Sequence, residues 1–422
     1  MFLSPNSNDD PNPSETEVSA SGTAQAIATF RLPHYGMLWS SNLIQFICFH
    51  VLFLAMQWLV TSLTDLRIAV GFLAFVQGGT IALASPFAGV IVDRHPKRNL
   101  MIFGRLGVAV VAISMGLLSY GGLIEYWHLL VMAIVGGTLA ALLGPAAQTY
   151  VVDVVGRKRT DHAISLNAIG GSVGTIGGAA LAGLLIKELG VVSTYFAAAA
   201  GVVLAGLLLL TIPIPGHAER KERTSLRSDL VEGLAYVRAR PHLLLALAAC
   251  AMALFNGAIS PMRVIYARHV FGAGADAFGM MSVFHGGGTM LAALFLTLRP
   301  PSRNFGVLIT GTMLLYALGV LMYSFAFSFE YILAVEFWLG ISGQAWHICA
   351  LIGFQLAVPE EMRGRVLSMV FTLAQLGFVG GFIVGGLADQ LGDQVAVGVF
   401  GAIPTILLSC MLVFGWKSLR KM

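Results

Sequence analysis

Apolar windows long enough to cross the roughly 30 Å hydrocarbon layer of a bilayer recur twelve times in this chain, and that recurrence leaves it little besides a bundle of membrane helices. Lipid offers no hydrogen-bond partner, so a backbone crossing it must close its own hydrogen bonds, as a helix does. The windows lie near Met37–Val60, Ala69–Val92, Leu100–Leu123, Leu129–Val152, Ala163–Ile186 and Val192–Ile212, predicted as α1 to α6. They continue near Leu243–Ala267, Phe278–Leu298, Phe305–Phe327, Tyr331–Val358, Val366–Ala388 and Val395–Trp416, predicted as α7 to α12. Composition agrees: 57% of residues are hydrophobic and 11% charged, with a mean hydropathy of +0.82, outside the range of soluble domains. The fold class expected is an all-α membrane protein with 12 transmembrane helices.

Polar segments divide the chain. Residues 1–30, rich in Ser, Asn, Pro, Asp and Glu, predict a disordered tail, with neither the basic start nor the apolar run of a signal peptide. Residues 31–212 then form an N-terminal six-helix bundle, 213–240 a linker, 241–416 a C-terminal six-helix bundle and 417–422 a second tail. Of the 25 Lys and Arg, 20 fall on the side that holds both termini, the linker and the even-numbered connections. The positive-inside rule makes that side cytoplasmic, so a multi-pass protein of the plasma (inner) membrane with both termini cytoplasmic is expected.

The halves repeat. Arg31-Leu-Pro-His34 returns as Arg238-Ala-Arg-Pro-His242, aligned on the histidines at an offset of 208, and His95-Pro96-Lys97-Arg98-Asn99 as Pro300-Pro301-Ser302-Arg303-Asn304, at 205. The glycine ladder Gly170, Gly174, Gly178 of α5 returns as Gly377, Gly381, Gly385 of α11, at 207. Two pseudo-symmetric six-helix bundles follow. Glycines spaced by four make a smooth strip, and at equivalent positions the two ladders are expected to form an interface on which the bundles rock.

Between α2 and α3 the chain reads Gly89-Val-Ile-Val-Asp93-Arg94-His95-Pro96-Lys97-Arg98. This pattern, Gly-x-x-x-Asp-Arg-x-x-Lys-Arg, resembles the signature loop of the major facilitator superfamily of secondary transporters, with Pro96 where glycine is usual. The resemblance implies that Asp93 holds the N-terminus of a helix in the other half, where the helix dipole favours an anion. It narrows at Pro359-Glu360-Glu361-Met362-Arg363-Gly364-Arg365 and at Val152-Asp153-Val-Val-Gly156-Arg157, which look like the drug and siderophore exporter branch that includes macrolide efflux pumps and enterobactin exporters. Two departures stand out: Leu298 occupies the position equivalent to Asp93, and α4 lacks the arginine common in proton-coupled exporters.

The family fold implies that α1, α4, α7 and α10 line a central cavity, and polar side chains are costly in lipid unless they face a cavity or a partner. His50 and Gln57 share a face of α1; Asn256, Ser260 and Arg263 share one of α7; Glu336, Gln344 and His347 lie on α10, with Glu336 and His347 on a common face. These are the candidate substrate-binding residues, except Glu336, the only acidic residue placed inside a helix and hence the candidate proton-coupling group. Each has an alternative: hydrogen bonding inside the bundle for the histidines, snorkelling to the outer interface for Arg263, an interfacial carboxylate for Glu336. The candidate conformational motif is Gly89, Asp93, Arg94, Lys97 and Arg98.

No Gly-Lys pair exists, which excludes a Walker A loop and direct use of ATP, and no His-Glu-x-x-His cluster suggests an enzyme. Cys48, Cys250, Cys349 and Cys410 lie singly in apolar runs, so no metal or cofactor is expected. The reading is a secondary active exporter of small amphipathic organic molecules by alternating access, with proton antiport. Its expected partners are the small-molecule substrate, the proton gradient and the lipid bilayer, with no nucleic acid, and the chain is expected to act as a monomer. The alternative is an importer, facilitator or lipid transporter of the same fold.

Overall fold

The computed structural model describes residues 28–30, 32, 34–156, 159–216, 232, 234–299, 301 and 303–422. Most of the expected N-terminal tail, and residues 217–231 of the expected linker, lie outside the described residues. The first spans are α1 Tyr35–Leu63, α2 Arg67–Arg94, α3 Lys97–Tyr120 and α4 Tyr126–Val155. A continuous helical stretch, Thr160–Leu210, then runs for 51 residues, about 77 Å at 1.5 Å per residue and more than twice the hydrocarbon thickness. Gly190, at φ 79° and ψ 168°, breaks it. Only glycine takes such a conformation without strain, and the chain turns back there, making α5 (160–189) and α6 (191–210). The second half comprises α7 Pro241–Val270, α8 Ala275–Leu298, α9 Phe305–Tyr323, α10 Phe329–Ala357, α11 Met362–Leu391 and α12 Asp393–Leu419. With that stretch divided at Gly190, the 11 long apolar helices among the described residues are consistent with twelve spans.

Local chemistry sets several boundaries. Ser328 caps α10 by accepting from the Tyr331 N–H at 3.2 Å, and Glu125 with His128 forms a capping box at α4. Two helices are interrupted. In α7 the turns at Met252 and Gly257 close by three-residue hydrogen bonds, just ahead of Pro261, which has no N–H to give the preceding turn. In α11 the break falls at Gln375. The two breaks meet: a side chain at Gly257 would collide with the main chain of Gly377, and one at Gly380 with that of Leu254.

Helices α1–α6 pack mainly among themselves, as do α7–α12, and the halves are bridged chiefly by α2 on α11 and α5 on α8. The apolar core shows how. One cluster at the face opposite the termini draws on both halves, from Val51 and Leu73 to Ile265 and Phe400. On the face that carries the termini, each half keeps a core of its own. Leu83 and Phe87 of α2, Phe371 of α11, and Leu294 and Leu298 of α8 are all exposed there. The halves therefore form a V, joined at the far face and parted at the termini face.

The join is made of backbone and charge. A side chain at Gly71 of α2 would strike the Gly381 carbonyl, and one at Gly183 of α5 would lie 3.1 Å from Cα of Gly279 in α8. Asp389, at the end of α11, accepts from the N–H groups of Arg67 at 2.8 Å and Ile68 at 2.9 Å, capping α2 from the opposite half. Arg67 also pairs with Asp393 at 3.1 Å, and Lys187 with Asp276 at 2.9 Å.

The glycine ladders are used differently from expectation. Gly170, Gly174 and Gly178 lie against Trp39, Phe46 and Ile47 of α1, inside their own half. Gly377 faces Gly257 of α7 within one half, whereas Gly381, beside Gly257, also meets Gly71 of α2, and Gly385 reaches across to Arg67 and Ile68. Equal spacing marked smooth strips correctly, but it carries no information on which neighbour fills them.

Asp389→Asn removes the anion from the α2 N-terminus, an interaction worth about 1 kcal/mol, or roughly a fivefold change in a two-state ratio. Spin-label distances between positions 83 and 371 should show the termini face closing more often in the variant. An unchanged distance distribution would mean that this cap does not hold the V.

Candidate functional site

Four helices of the second half converge on one carboxylate. Glu336 of α10 is fully buried, 0% exposed. Its Oε1 accepts from Arg263 Nε of α7 at 2.8 Å and from the Tyr323 hydroxyl of α9 at 3.0 Å. Its Oε2 accepts from Arg263 Nη2 at 3.0 Å and meets His285 Nδ1 of α8 at 3.1 Å. The fork of Arg263 thus grips both oxygens. His285 reaches the carboxylate because α8 and α10 touch main chain to main chain: a side chain at Gly340 would collide with the His285 carbonyl, and one at Gly288 with the Phe337 carbonyl. The His285 side chain is 29% exposed, against 14% for Arg263, so the imidazole is the quartet's most open member.

The first half holds a cavity of about 430 Å³ between α1, α3, α4 and α5, a size suited to a small organic molecule. Phe46, Phe49, Phe53 and Met132 give it an apolar wall, and Asn42, Gln45, His50, Arg105, Gln148 and Asn167 give it polar points. His50 donates from Nδ1 to the Phe46 carbonyl at 2.9 Å, since a carbonyl only accepts; this bond selects the Nδ1–H tautomer. Asn42 donates to Asn167 at 3.2 Å and accepts from Arg105 at 2.9 Å.

The two six-helix halves form a V, with a cavity in one and a buried ion pair in the other. The family model described as Major Facilitator Superfamily matches residues 38–381. This chain belongs to the Major Facilitator Superfamily. It is 26% identical over 347 residues to the uncharacterized MFS-type transporter YfiS of Bacillus subtilis (strain 168), covering 80% of this chain and 82% of that one. It is 24% identical over 352 residues to the multidrug resistance protein MdtG of Escherichia fergusonii, covering 81% and 82%. Among solved structures, the nucleoside transporter NupG matches with a TM-score of 0.75 at 12% identity, over 93% of this chain and 100% of that one. The fold is that of this transporter superfamily.

Within that fold the residues singled out from the sequence scatter. His50 lines the first-half cavity, whereas Gln57, two turns further along α1, is buried beyond it, its side-chain oxygen without a hydrogen-bond partner. Asn256 donates to the Met313 sulfur at 3.3 Å, beside the α7 break. Ser260 and Gln344 are half-buried and outside that cavity. His347 is exposed, and the ring touching Glu336 is His285 instead. Arg263, expected as a substrate-binding residue, is already held by Glu336, and Glu336 is correspondingly not an isolated carboxyl.

In the signature loop, Lys97 pairs with Asp153 of α4 at 2.8 Å, and Arg98 donates to the Ile212 carbonyl at 2.7 Å. These two cations therefore bind the ends of α3, α4 and α6 into one half. Arg94 is exposed, while Gly89 and Asp93 are half-buried at the α2 end. Sequence reasoning missed His285, Tyr323 and Arg105. For His285 the signal was present: it is the only titratable residue in the interior of α8, and three glycines follow it.

Removing one partner of a buried ion pair strands the other charge, at a cost of about 3–5 kcal/mol, whereas replacing both with apolar residues is far milder. Arg263→Met should therefore lower the thermal unfolding temperature more than Arg263→Met combined with Glu336→Leu. A double variant no more stable than the single one would contradict the pairing.

Proposed function

We propose that this protein exports small amphipathic organic molecules by alternating access, driven by proton antiport across the inner membrane, with the termini on the cytoplasmic side and the monomer as the working unit. One observation carries the reading: a ligand-sized cavity in one half is separate from a buried carboxylate in the other, and that carboxylate is joined to a partly exposed imidazole. The efflux direction is supported by the similarity to a multidrug resistance protein.

The charges suit coupling. A proton taken up at His285 Nε2, with the Nδ1 proton passed on to Glu336 Oε2, leaves the imidazole neutral, neutralises the carboxylate and leaves Arg263 buried without its counter-charge, a state of high energy that a rearrangement of α7 relieves. The α7 break lies only a few residues from Arg263, where a helix can bend without losing a regular turn. Alternation closes the termini face, and there Asp93 binds the N-terminus of α11. Gln57, Asn256, Ser260, Gln344 and His347 join the path after that closure, which brings the second half against the cavity that His50 lines.

In proteoliposomes, Glu336→Gln should abolish pH-driven transport while keeping exchange at equal solute concentrations on both sides. Retained pH-driven accumulation in that variant removes the case for coupling at Glu336. Asp93→Asn should keep binding affinity within a few fold and cut transport strongly. Transport at the parental rate would show that Asp93 does not govern the cycle.

A further inference from the structure

Arg105 of α3 is 1% exposed and lines the first-half cavity, of which it is the sole Lys, Arg, Asp or Glu. Its Nη1 donates to Ser41 Oγ and to the Ala205 carbonyl at 2.8 Å, and its Nη2 donates to Asn42 Oδ1 at 2.9 Å. All three partners are neutral. No ion pair reaches Arg105 among the described residues, in contrast to Arg263, and its Nε is buried without a hydrogen-bond partner. A buried cation is costly without a counter-charge, and a guanidinium with an unused donor is shaped for a planar anion. Two more cavity residues carry orphaned buried atoms, Gln45 Oε1 and the Tyr195 hydroxyl.

The cavity is polar at one end. Arg105 lies eight residues into α3, Asn42 and Asn167 seven residues into α1 and α5, and Gln148 seven residues before the end of α4. All four thus share one layer, about 10–12 Å in from the termini face. The opposite end is lined by Met56, Met115 and Met132, with Gln77 and Tyr195 as its polar members, and the flexible thioethers accommodate varied apolar shapes. From Arg105 to Met115 along α3 is about 15 Å.

We infer that this cavity selects amphipathic organic acids, with Arg105 receiving the carboxylate and the apolar body lying toward the methionines. The inference rests on the transport reading above and specifies its substrate class. A cationic amphiphile would meet only like charge here. Arg105 also ties α1 to α3 and α6, so its test needs a readout that a structural staple would not move.

The matched probes are 4-phenylbutyrate, 4-phenylbutanol and 4-phenylbutylamine, which share one apolar body. Equilibrium binding is measured with the purified full chain in lipid nanodiscs. The acid should bind more tightly than the alcohol by about tenfold or more, and the amine more weakly than either. Arg105→Gln should bring acid and alcohol to within roughly twofold of each other while leaving the alcohol's affinity intact. No acid preference in the parent protein, or a preference that survives Arg105→Gln, overturns the inference. If that variant does not fold, Met132→Trp, which fills the apolar end without touching the arginine, decides: acid binding should fall with alcohol binding, and acid binding that survives it places the anion elsewhere and overturns the proposal. Binding needs no gradient, so a failure of proton coupling appears as acid-selective binding without pH-driven transport. Failure of this inference alone appears as pH-driven transport without acid selectivity.

Discussion

At Gly71 and Gly183 a side chain one carbon long would run into the helix opposite, so α2 on α11 and α5 on α8 approach to a distance that only glycine allows. Lipid supplies no hydrophobic force to press helices together, and close main-chain packing is what remains to hold two halves of a membrane protein at one face. The tightest of these main-chain contacts lie toward the face opposite the termini, with Gly78 against Phe378 and Gly286 against Ile176 further along, and separate cores form at the termini face.

The two buried arginines meet the cost of their charge in opposite ways. Arg263 has a carboxylate at 2.8 Å that cancels its charge. Arg105 has only a hydroxyl, an amide oxygen and a main-chain carbonyl, which solvate the charge without cancelling it. In the proposed mechanism the ion pair, which a proton disturbs, takes the energy input, and the uncancelled cation, which an anion completes, takes the ligand, so that the two halves divide the labour.

Much of the fold was legible because lipid enforces it. Twelve apolar windows anticipated the spans, and their predicted starts fall within a few residues of the helices. Charge placement and the Gly89–Arg98 motif pointed to the superfamily for equally direct reasons. Side-chain pairing was not legible, because it depends on which helices touch. Arg105 reads in sequence as one more basic residue near a membrane face, yet it is buried against α1 and α6, held by Ser41, Asn42 and Ala205. Glu336 was found by elimination, while its neighbour His285 lies on a helix outside the set expected to line the cavity.

The latches are also unequal in a way that symmetry alone would not suggest. At the outer face Asp389 of α11 caps the N-terminus of α2 through two N–H groups, whereas the pseudo-equivalent α5–α8 contact has only the exposed Lys187–Asp276 pair, a type of interaction worth about 0–1 kcal/mol. At the termini face the acid on α2, Asp93, has no counterpart on α8, where Leu298 stands. On both faces, then, the carboxylate belongs to the α2–α11 pair, each helix carrying an anion at its C-terminal end suited to the N-terminus of the other. In the proposed cycle only one face closes at a time, so the two caps compete for the same pair of helices, and alternation is an exchange of one helix N-terminus for another.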